Sequence, residues 1–232
     1  MLDRWIRADF GRYKYLGFFA MLNVTFMLVA NFVSPRLVTL GGVSVSVSVY
    51  YFPMIYLIAD ILTEVYGYGQ ARKIMWLSLF CKIVAACVVW LALLIPPSPM
   101  FANEAAFQTI LSSGFRTAVA SILAFFVGDV GTSYALAKLK VWSNGRHMWM
   151  RFIASTGIGQ ALNTVVFYGI AFVGIVPLHA LALGMLVAWA AKVVWEIVAL
   201  PLTYVVVRRL KKAEGVDHFD RHTNFNPFVT KT

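Results

Sequence analysis

Long apolar runs separated by short polar segments dominate this chain. Five of them reach the roughly 20 residues needed to cross a bilayer. They cover residues 15–33, 74–95, 117–139, 152–173 and 181–207. A sixth run over 48–64 is shorter and contains Pro53, which leaves its start open. The pattern predicts an all-α polytopic membrane protein with six transmembrane helices.

Two polar segments carry weaker patterns. Residues 37–40 and 43–47 alternate with period two around Gly41-Gly42, which favours a small outer β-hairpin between helices one and two. Residues 103–111, in the loop after the third helix, predict a short amphipathic helix.

The basic residues predict the orientation. If the N-terminus is cytoplasmic, most of the 20 lysines and arginines lie in segments on the cytoplasmic side of the membrane. We therefore expect both termini in the cytoplasm. The organisation is then a basic N-terminus at 1–14, a six-helix domain at 15–207 and a cytoplasmic tail at 208–232, which is polar and expected to be mobile after Lys212.

Composition excludes several other classes. The chain is 60% hydrophobic and 13% charged, with a mean hydropathy of +0.76, which is unlike a soluble enzyme. Its net charge of +10 comes from short clusters between apolar runs, so we expect the lipid bilayer rather than nucleic acid as its partner. Phosphate-loop, Gly-x-Ser-x-Gly and His-Glu-x-x-His patterns are missing from the sequence, and no closed set of metal ligands is evident. We expect no enzymatic activity, metal or cofactor.

Ionisable side chains interrupt the apolar runs. A charge at the centre of a spanning helix costs about 2.5–3.5 kcal/mol on insertion scales, so such groups usually face the interior of a bundle. The residues concerned are Asp60, Glu64, Lys82, Asp129, Lys192 and Glu196.

Two of these pairs are spaced by one helical turn. Asp60 and Glu64 share a helix face, although Glu64 could equally serve as a cap at the inner interface. Lys192 and Glu196 could form an ion pair that lowers the insertion cost, or Lys192 could orient Glu196 toward a ligand. Both interpretations of each pair stay open.

Helix five carries a polar stripe, and helix four carries an isolated acid. The stripe comprises Thr156, Gln160, Asn163 and Phe167, and it could join helices or line a cavity. For Asp129, Lys82 is either the counter-ion or a side chain that extends toward the interface.

Several short motifs follow one another along most of the chain. They are Phe52-Pro53, Ala59-Asp60-Ile61-Leu62-Thr63-Glu64-Val65-Tyr66-Gly67, Phe126-Val127-Gly128-Asp129, Ser155-Thr156, Gly159-Gln160, Lys192 with Glu196, Pro201-Leu202-Thr203-Tyr204 and Asn224-Phe225-Asn226-Pro227-Phe228. In this order they resemble the motifs of the queuosine precursor transporter family of vitamin-uptake-like bacterial inner-membrane proteins. One departure is Asn163, where many members carry Asp.

The resemblance implies import of 7-cyano- or 7-aminomethyl-7-deazaguanine, or queuine, for tRNA modification. It also implies a fold similar to the substrate-binding subunits of energy-coupling-factor transporters. Carboxylates can accept the N–H donors of such a planar, purine-like base, an amide or ammonium can donate to its carbonyl, and aromatic rings can flank it. The expected contacts are Asp60, Glu64, Gln160, Asn163, Lys192, Glu196, Phe52, Tyr56, Asp129 and Phe167.

Other functions stay open at this point. The chain could carry another vitamin-sized solute, or act as a membrane scaffold without transport. A secondary transporter, a facilitator or a subunit energised by an external module would each fit, and the sequence does not predict an oligomeric state.

Overall fold

The computed structural model describes residues 11–33, 36–40, 43–111, 115–174 and 177–220. These residues form seven α-helices and one pair of short strands. The helices are α1 (Leu16–Val33), α2 (Phe52–Tyr66), α3 (Tyr68–Leu94), α4 (Glu104–Leu111), α5 (Phe115–Trp142), α6 (Met148–Ala171) and α7 (Leu178–Glu214). The predicted short helix in the loop after the third helix is α4.

The strands lie between α1 and α2. β1 (Leu37–Leu40) pairs antiparallel with β2 (Val43–Ser46), so that Leu37 is opposite Ser46 and Leu40 is opposite Val43. The joining residues 41–42 lie outside the described part of the chain. The hairpin as a whole therefore stays a prediction.

Helix α2 is the centre of the bundle. Pro53 lies in its first turn, where the missing N–H costs no intrahelical bond. Every residue from 55 to 66 is buried, and α2 contacts α1, α3, α5 and α7. The helix ends at Gly67, whose φ of +82° suits glycine, and α3 begins at the next residue. The chain thus reverses direction within one residue.

Apolar surfaces mark the faces that contact lipid. Phe80, Val88, Trp90 and Leu94 of α3 are all more than half exposed. Within the described residues, three helices are long and apolar enough to cross a membrane: α3, Val119–Trp142 of α5, and α7. This is a multi-pass membrane protein. The expected total of six spans stays a prediction.

Helices α5 and α6 pack along each other most extensively. Small residues allow this, because a Cβ on Gly159 would overlap the Thr132 hydroxyl and lie 2.8 Å from the Gly128 carbonyl oxygen. A Cβ on Gly128 would lie 2.7 Å from both the Tyr56 hydroxyl and Asn163 Cβ. The two glycines bring the polar faces of α2, α5 and α6 together.

Helix α7 is longer than the apolar run predicts, and the residues after it contact other helices of the bundle. The helix continues to Glu214 rather than ending near residue 207, and Glu214 accepts hydrogen bonds from the Lys14 and Tyr15 amides at 3.0 and 2.8 Å. Asp220 accepts the Tyr68 amide hydrogen at 3.0 Å. The mobility expected of the tail after Lys212 stays a prediction. As far as Asp220, the acids of the tail bind a helix N-terminus and neighbouring lysines.

Candidate functional site

Polar side chains from three helices meet at the middle of α2. Asp60 is fully buried, and Thr156 of α6 donates a hydrogen bond from Oγ1 to Asp60 Oδ2 at 3.4 Å. The Glu196 carboxyl of α7 lies within hydrogen-bonding contact of the Asp60 carboxyl. The sequence did not predict this pairing, because the two acids are far apart along the chain.

Helix α5 adds a third acid. Asp129 is buried, and the Tyr56 hydroxyl lies within electrostatic range of both Asp129 and Asp60. Tyr56 also lies against the Gly128 backbone and Asn163, so the polar stripe of α6 faces the same region. We call this group of side chains the central cluster. It consists of Tyr56, Asp60, Asp129, Thr132, Thr156, Gln160, Asn163, Lys192 and Glu196.

Lys192 connects α7 to α6 within the central cluster. Its ammonium donates to Asn163 Oδ1 at 3.1 Å and to Thr164 Oγ1 at 3.5 Å. The one-turn spacing also predicts an ion pair between Lys192 and Glu196, and this pair stays a prediction. The bond from Lys192 fixes the orientation of the Asn163 amide, with its oxygen toward the ammonium.

The central cluster contains several buried polar atoms that no described residue satisfies. A buried polar atom without a hydrogen bond costs about 1–3 kcal/mol, so native proteins leave few of them. Both amide atoms of Gln160 are in this state. The full set is Tyr56 Oη, Asp60 Oδ1, Asp129 Oδ1, Thr132 Oγ1, Gln160 Nε2, Gln160 Oε1 and Glu196 Oε1.

These free atoms form a mixed set of donors and acceptors. The three acids offer oxygen acceptors, Gln160 offers one donor group and one acceptor, and Tyr56 and Thr132 offer hydroxyls. Such a set is suited to a small planar molecule with several N–H and C=O groups along its edges. It is a candidate binding site.

A second charged group, the Glu64 cluster, lies one turn further along α2. Glu64 Oε1 accepts hydrogen bonds from Arg151 Nη2 at 2.9 Å and Lys211 Nζ at 2.8 Å. Lys140 Nζ lies 3.5 Å from the same oxygen and donates to the Glu64 carbonyl at 2.8 Å. Asp217 bridges Lys140 and Lys211 at 2.9 and 2.8 Å.

The lysines also determine the acidity of Asp217. Partial burial acts to raise the pKa of this carboxyl, but the hydrogen bonds from Lys211 and Lys140 outweigh burial and hold the pKa below its ordinary value. Asp217 is therefore a carboxylate at neutral pH. The Glu64 cluster then contains two carboxylates and three bases, joined from four helices and the tail.

Some predicted site residues lie outside the central cluster. Glu64 belongs to the Glu64 cluster, and Phe167 packs edge-on against Tyr168 and Phe172 at centroid distances of 5.8 and 5.9 Å. The side chain of Phe52 lies outside the described part of the chain.

Lys82 follows neither of its two predicted roles. Its ammonium donates to Ser121 of α5, at 2.9 Å to Oγ and 3.1 Å to the carbonyl, and faces the Phe125 ring. Ser121 lies about two turns before Asp129 on the same helix. Lys82 therefore joins α3 to α5 at a different level from the central cluster.

Sequence reasoning missed several participants. Thr132 has a detectable signal, since it follows Gly128 by one turn on the small-residue face of α5. Lys140, Arg151 and Lys211 served only to predict orientation, because their convergence on Glu64 depends on how the helices pack.

Two described cavities lie away from the central cluster. One of about 310 Å³ lies between α1 and α7, lined by residues such as Phe18 and Leu210. The other, of about 380 Å³, lies between the start of α6 and the end of α7, at Trp149 and Tyr204. The residues of the central cluster line neither of these two cavities.

Comparison with known proteins gives consistent matches. A family model described as "Putative vitamin uptake transporter" matches residues 46–206, which include the whole central cluster. A "Probable queuosine precursor transporter" of Bacillus subtilis is 25% identical over 86% of this chain and 87% of its own.

Two further relatives have similar names. The "Queuosine precursor transporter" of Escherichia coli is 24% identical over 69% of this chain and 70% of its own. A relative from Haemophilus influenzae, named "Probable queuosine precursor transporter", is 32% identical over 52% of this chain and 49% of its own. No solved structure matches.

Proposed function

The chain belongs to the vitamin uptake transporter family, and on that premise we propose that it imports queuosine precursors across the bacterial inner membrane. The cargo is a 7-deazaguanine base: the 7-cyano or 7-aminomethyl compound, or queuine. The printed names of three relatives support this substrate class. The observation that carries the proposal is the convergence of unsatisfied buried polar atoms from α2, α5, α6 and α7.

The chemistry of the base suggests a role for each side chain. The adjacent ring and amino N–H groups would donate to Asp60, whose Oδ1 is free. The ring carbonyl would accept a hydrogen bond from Gln160 Nε2 or from Glu196, and the Tyr56 ring would provide an aromatic wall. Lys192 and Asn163 would hold α6 and α7 in position through their 3.1 Å hydrogen bond.

The Glu64 cluster has a different proposed role. Glu64 was expected to contact the base, but three bases already surround its carboxylate. We assign it to holding α2, α5, α6, α7 and the tail together. In the proposed orientation, with α1, α2, α3, α5, α6 and α7 as six spans and both termini cytoplasmic, this cluster closes the cytoplasmic side of the site.

A genetic experiment tests the proposal. The chain is expressed in cells that neither make nor import deazaguanine bases, each base is supplied in turn, and queuosine is measured in their tRNA. We expect the wild-type chain to restore queuosine with at least one base. Absence of rescue with every base, from a protein shown to be in the membrane, would contradict the assignment.

Matched variants separate a carrier from a scaffold. Asp60→Asn should abolish rescue while the protein still inserts, because the amide cannot accept both N–H donors of the base. Glu104→Gln, which changes an acid on the outer helix α4, should rescue like the wild type. Wild-type rescue by Asp60→Asn would favour a scaffold.

The family description keeps one other substrate class open, namely another planar solute of vitamin size. Competition distinguishes the two. An excess of unlabelled deazaguanine base should block uptake of the labelled base, whereas a carrier for a different vitamin would be blocked only by that vitamin.

A further inference from the structure

The central cluster contains more acids than bases. Asp60, Asp129 and Glu196 are each at least 97% buried, and the basic member of the cluster is Lys192. If all four groups were ionised, two negative charges would remain without a counter-charge at this depth. Uncompensated buried charges cost several kcal/mol each in proteins, so full ionisation of the cluster is strongly disfavoured.

The contact between Asp60 and Glu196 shows where a proton would reside. An ionised carboxylate can only accept hydrogen bonds, so two carboxyl groups form one only if they hold a proton between them. The Asp60 and Glu196 carboxyls lie close enough across α2 and α7 for such a hydrogen bond. A shared proton satisfies both groups and removes one of the two excess charges.

The surroundings of the pair favour a single proton. Thr156 of α6 donates to Asp60 Oδ2, which stabilises negative charge on that acid. Negative charge on Asp129 of α5 disfavours a second negative charge on the pair. Lys192 lies one turn before Glu196 on α7, and its positive charge is already counted above. With one proton on the pair, one of the two excess negative charges remains in the cluster.

We propose that Asp60 and Glu196 form a proton-binding site and that a proton is carried together with the base. This inference rests on the proposed function. A pair with one proton presents a carboxylate acceptor beside a carboxylic-acid donor. That arrangement matches the edge of a deazaguanine, where N–H donors adjoin a carbonyl acceptor.

The proton balance of the loading step is simple. Glu196 keeps the shared proton and donates a hydrogen bond to the carbonyl of the base. The Asp60 carboxylate accepts the N–H groups of the base, and no bond within the base changes. On the far side the base leaves, the Glu196 O–H bond breaks and water accepts the proton; the empty pair then takes up a new proton from water on the entry side.

Proton movement can be measured with the purified protein in liposomes that enclose a pH-sensitive dye. Addition of 7-aminomethyl- or 7-cyano-7-deazaguanine outside should acidify the lumen, with about one proton entering per base. Glu104→Gln should keep this ratio. In Glu196→Gln base entry should fall, and the entry that remains should move no proton, because glutamine supplies the donor without a titratable group.

The outcomes separate the two proposals. Base entry into wild-type liposomes without acidification would overturn the proton site and leave the transporter assignment intact. Acidification at the wild-type ratio in Glu196→Gln would also overturn it. Failure of the wild type to transport any base would count against the proposed function instead.

Infrared spectroscopy tests the proton site without any base. The wild-type minus Glu196→Gln difference spectrum should contain the C=O stretch of a protonated carboxylic acid, and that band should shift in D₂O. A difference spectrum with carboxylate bands alone would show that the pair holds no proton.

Discussion

Asp60 and Glu64 lie four residues apart on the same face of α2, and both are at most 1% exposed. Within the described residues each has one carboxylate oxygen without a hydrogen-bond partner, Asp60 Oδ1 and Glu64 Oε2, but the charges around the two acids differ. One Glu64 oxygen lies within 3.5 Å of three basic groups. Asp60 accepts a hydrogen bond from Thr156 and contacts a second acid, and its Oδ1 has no partner in the described part of the chain.

This difference teaches that burial alone does not identify a functional acid in a membrane bundle. An acid surrounded by bases already has its counter-charges, and separating them would cost more than a small ligand returns. An acid with free acceptor capacity beside other unsatisfied groups can gain bonds from a ligand. On this comparison we propose a structural role for Glu64 and a binding role for Asp60.

The largest expected effect comes from Glu64→Gln. This change leaves Lys140, Arg151 and Lys211 close together without the central carboxylate, and breaking a buried ion pair costs about 3–5 kcal/mol. Thermal unfolding in detergent should show a much lower Tm than for the wild type. A Tm equal to the wild-type value would remove the structural role of Glu64.

Asp60→Asn should reduce base uptake and leave the Tm nearly unchanged. Base uptake should fall at least tenfold, which corresponds to about 1.4 kcal/mol of lost interaction. The Tm should stay near the wild-type value, because the amide can donate to Glu196 in place of the shared proton. Wild-type uptake by Asp60→Asn, in liposomes that contain a normal amount of the protein, would contradict a binding role for Asp60.

Gly159→Ala tests the wall of the central cluster. The new methyl group would overlap the Thr132 hydroxyl, and overpacking of this kind costs about 1–3 kcal/mol. The control is Gly157→Ala, two residues away on α6, where a Cβ meets nothing within 4 Å. The comparison of Tm and uptake should show a loss for the first variant only, and equal losses would contradict the close approach of α5 and α6.

The smallest effect is expected for Asp217→Asn. The Asp217 side chain is half exposed, so its ion pairs should contribute at most about 1 kcal/mol. Because the folded-state pKa of Asp217 lies below its ordinary value, its contribution is present at neutral pH. This contribution is lost as the pH falls through the folded-state pKa.

Acid titration of unfolding checks that sign. Wild type and Asp217→Asn should differ in Tm at pH 7 and converge at acidic pH. A difference that grows on acidification would contradict the ion pairs of Asp217.

The sequence predicted the helical class and much of the central cluster because these follow from local patterns. Hydrophobic runs predict helices, and polar residues inside them predict buried interior positions, which Asp60, Gln160 and Glu196 occupy. Family motifs supplied the substrate class.

Partner choice could not be predicted in the same way. Asp60 pairs with Glu196 rather than acting with Glu64, and Lys82 binds Ser121, because helix packing decides which side chains meet at one depth. The docked tail was missed because its polar composition is also typical of solvated segments.

Direct binding to the purified protein tests the central claim most closely. Each labelled deazaguanine base is titrated onto wild type, Asp60→Asn and Asp217→Asn in detergent, with Tm measured on the same samples. The account predicts saturable binding to wild type and Asp217→Asn, and its loss in a folded Asp60→Asn protein. Equal binding to Asp60→Asn and wild type, or no binding of any base to folded wild type, would contradict it.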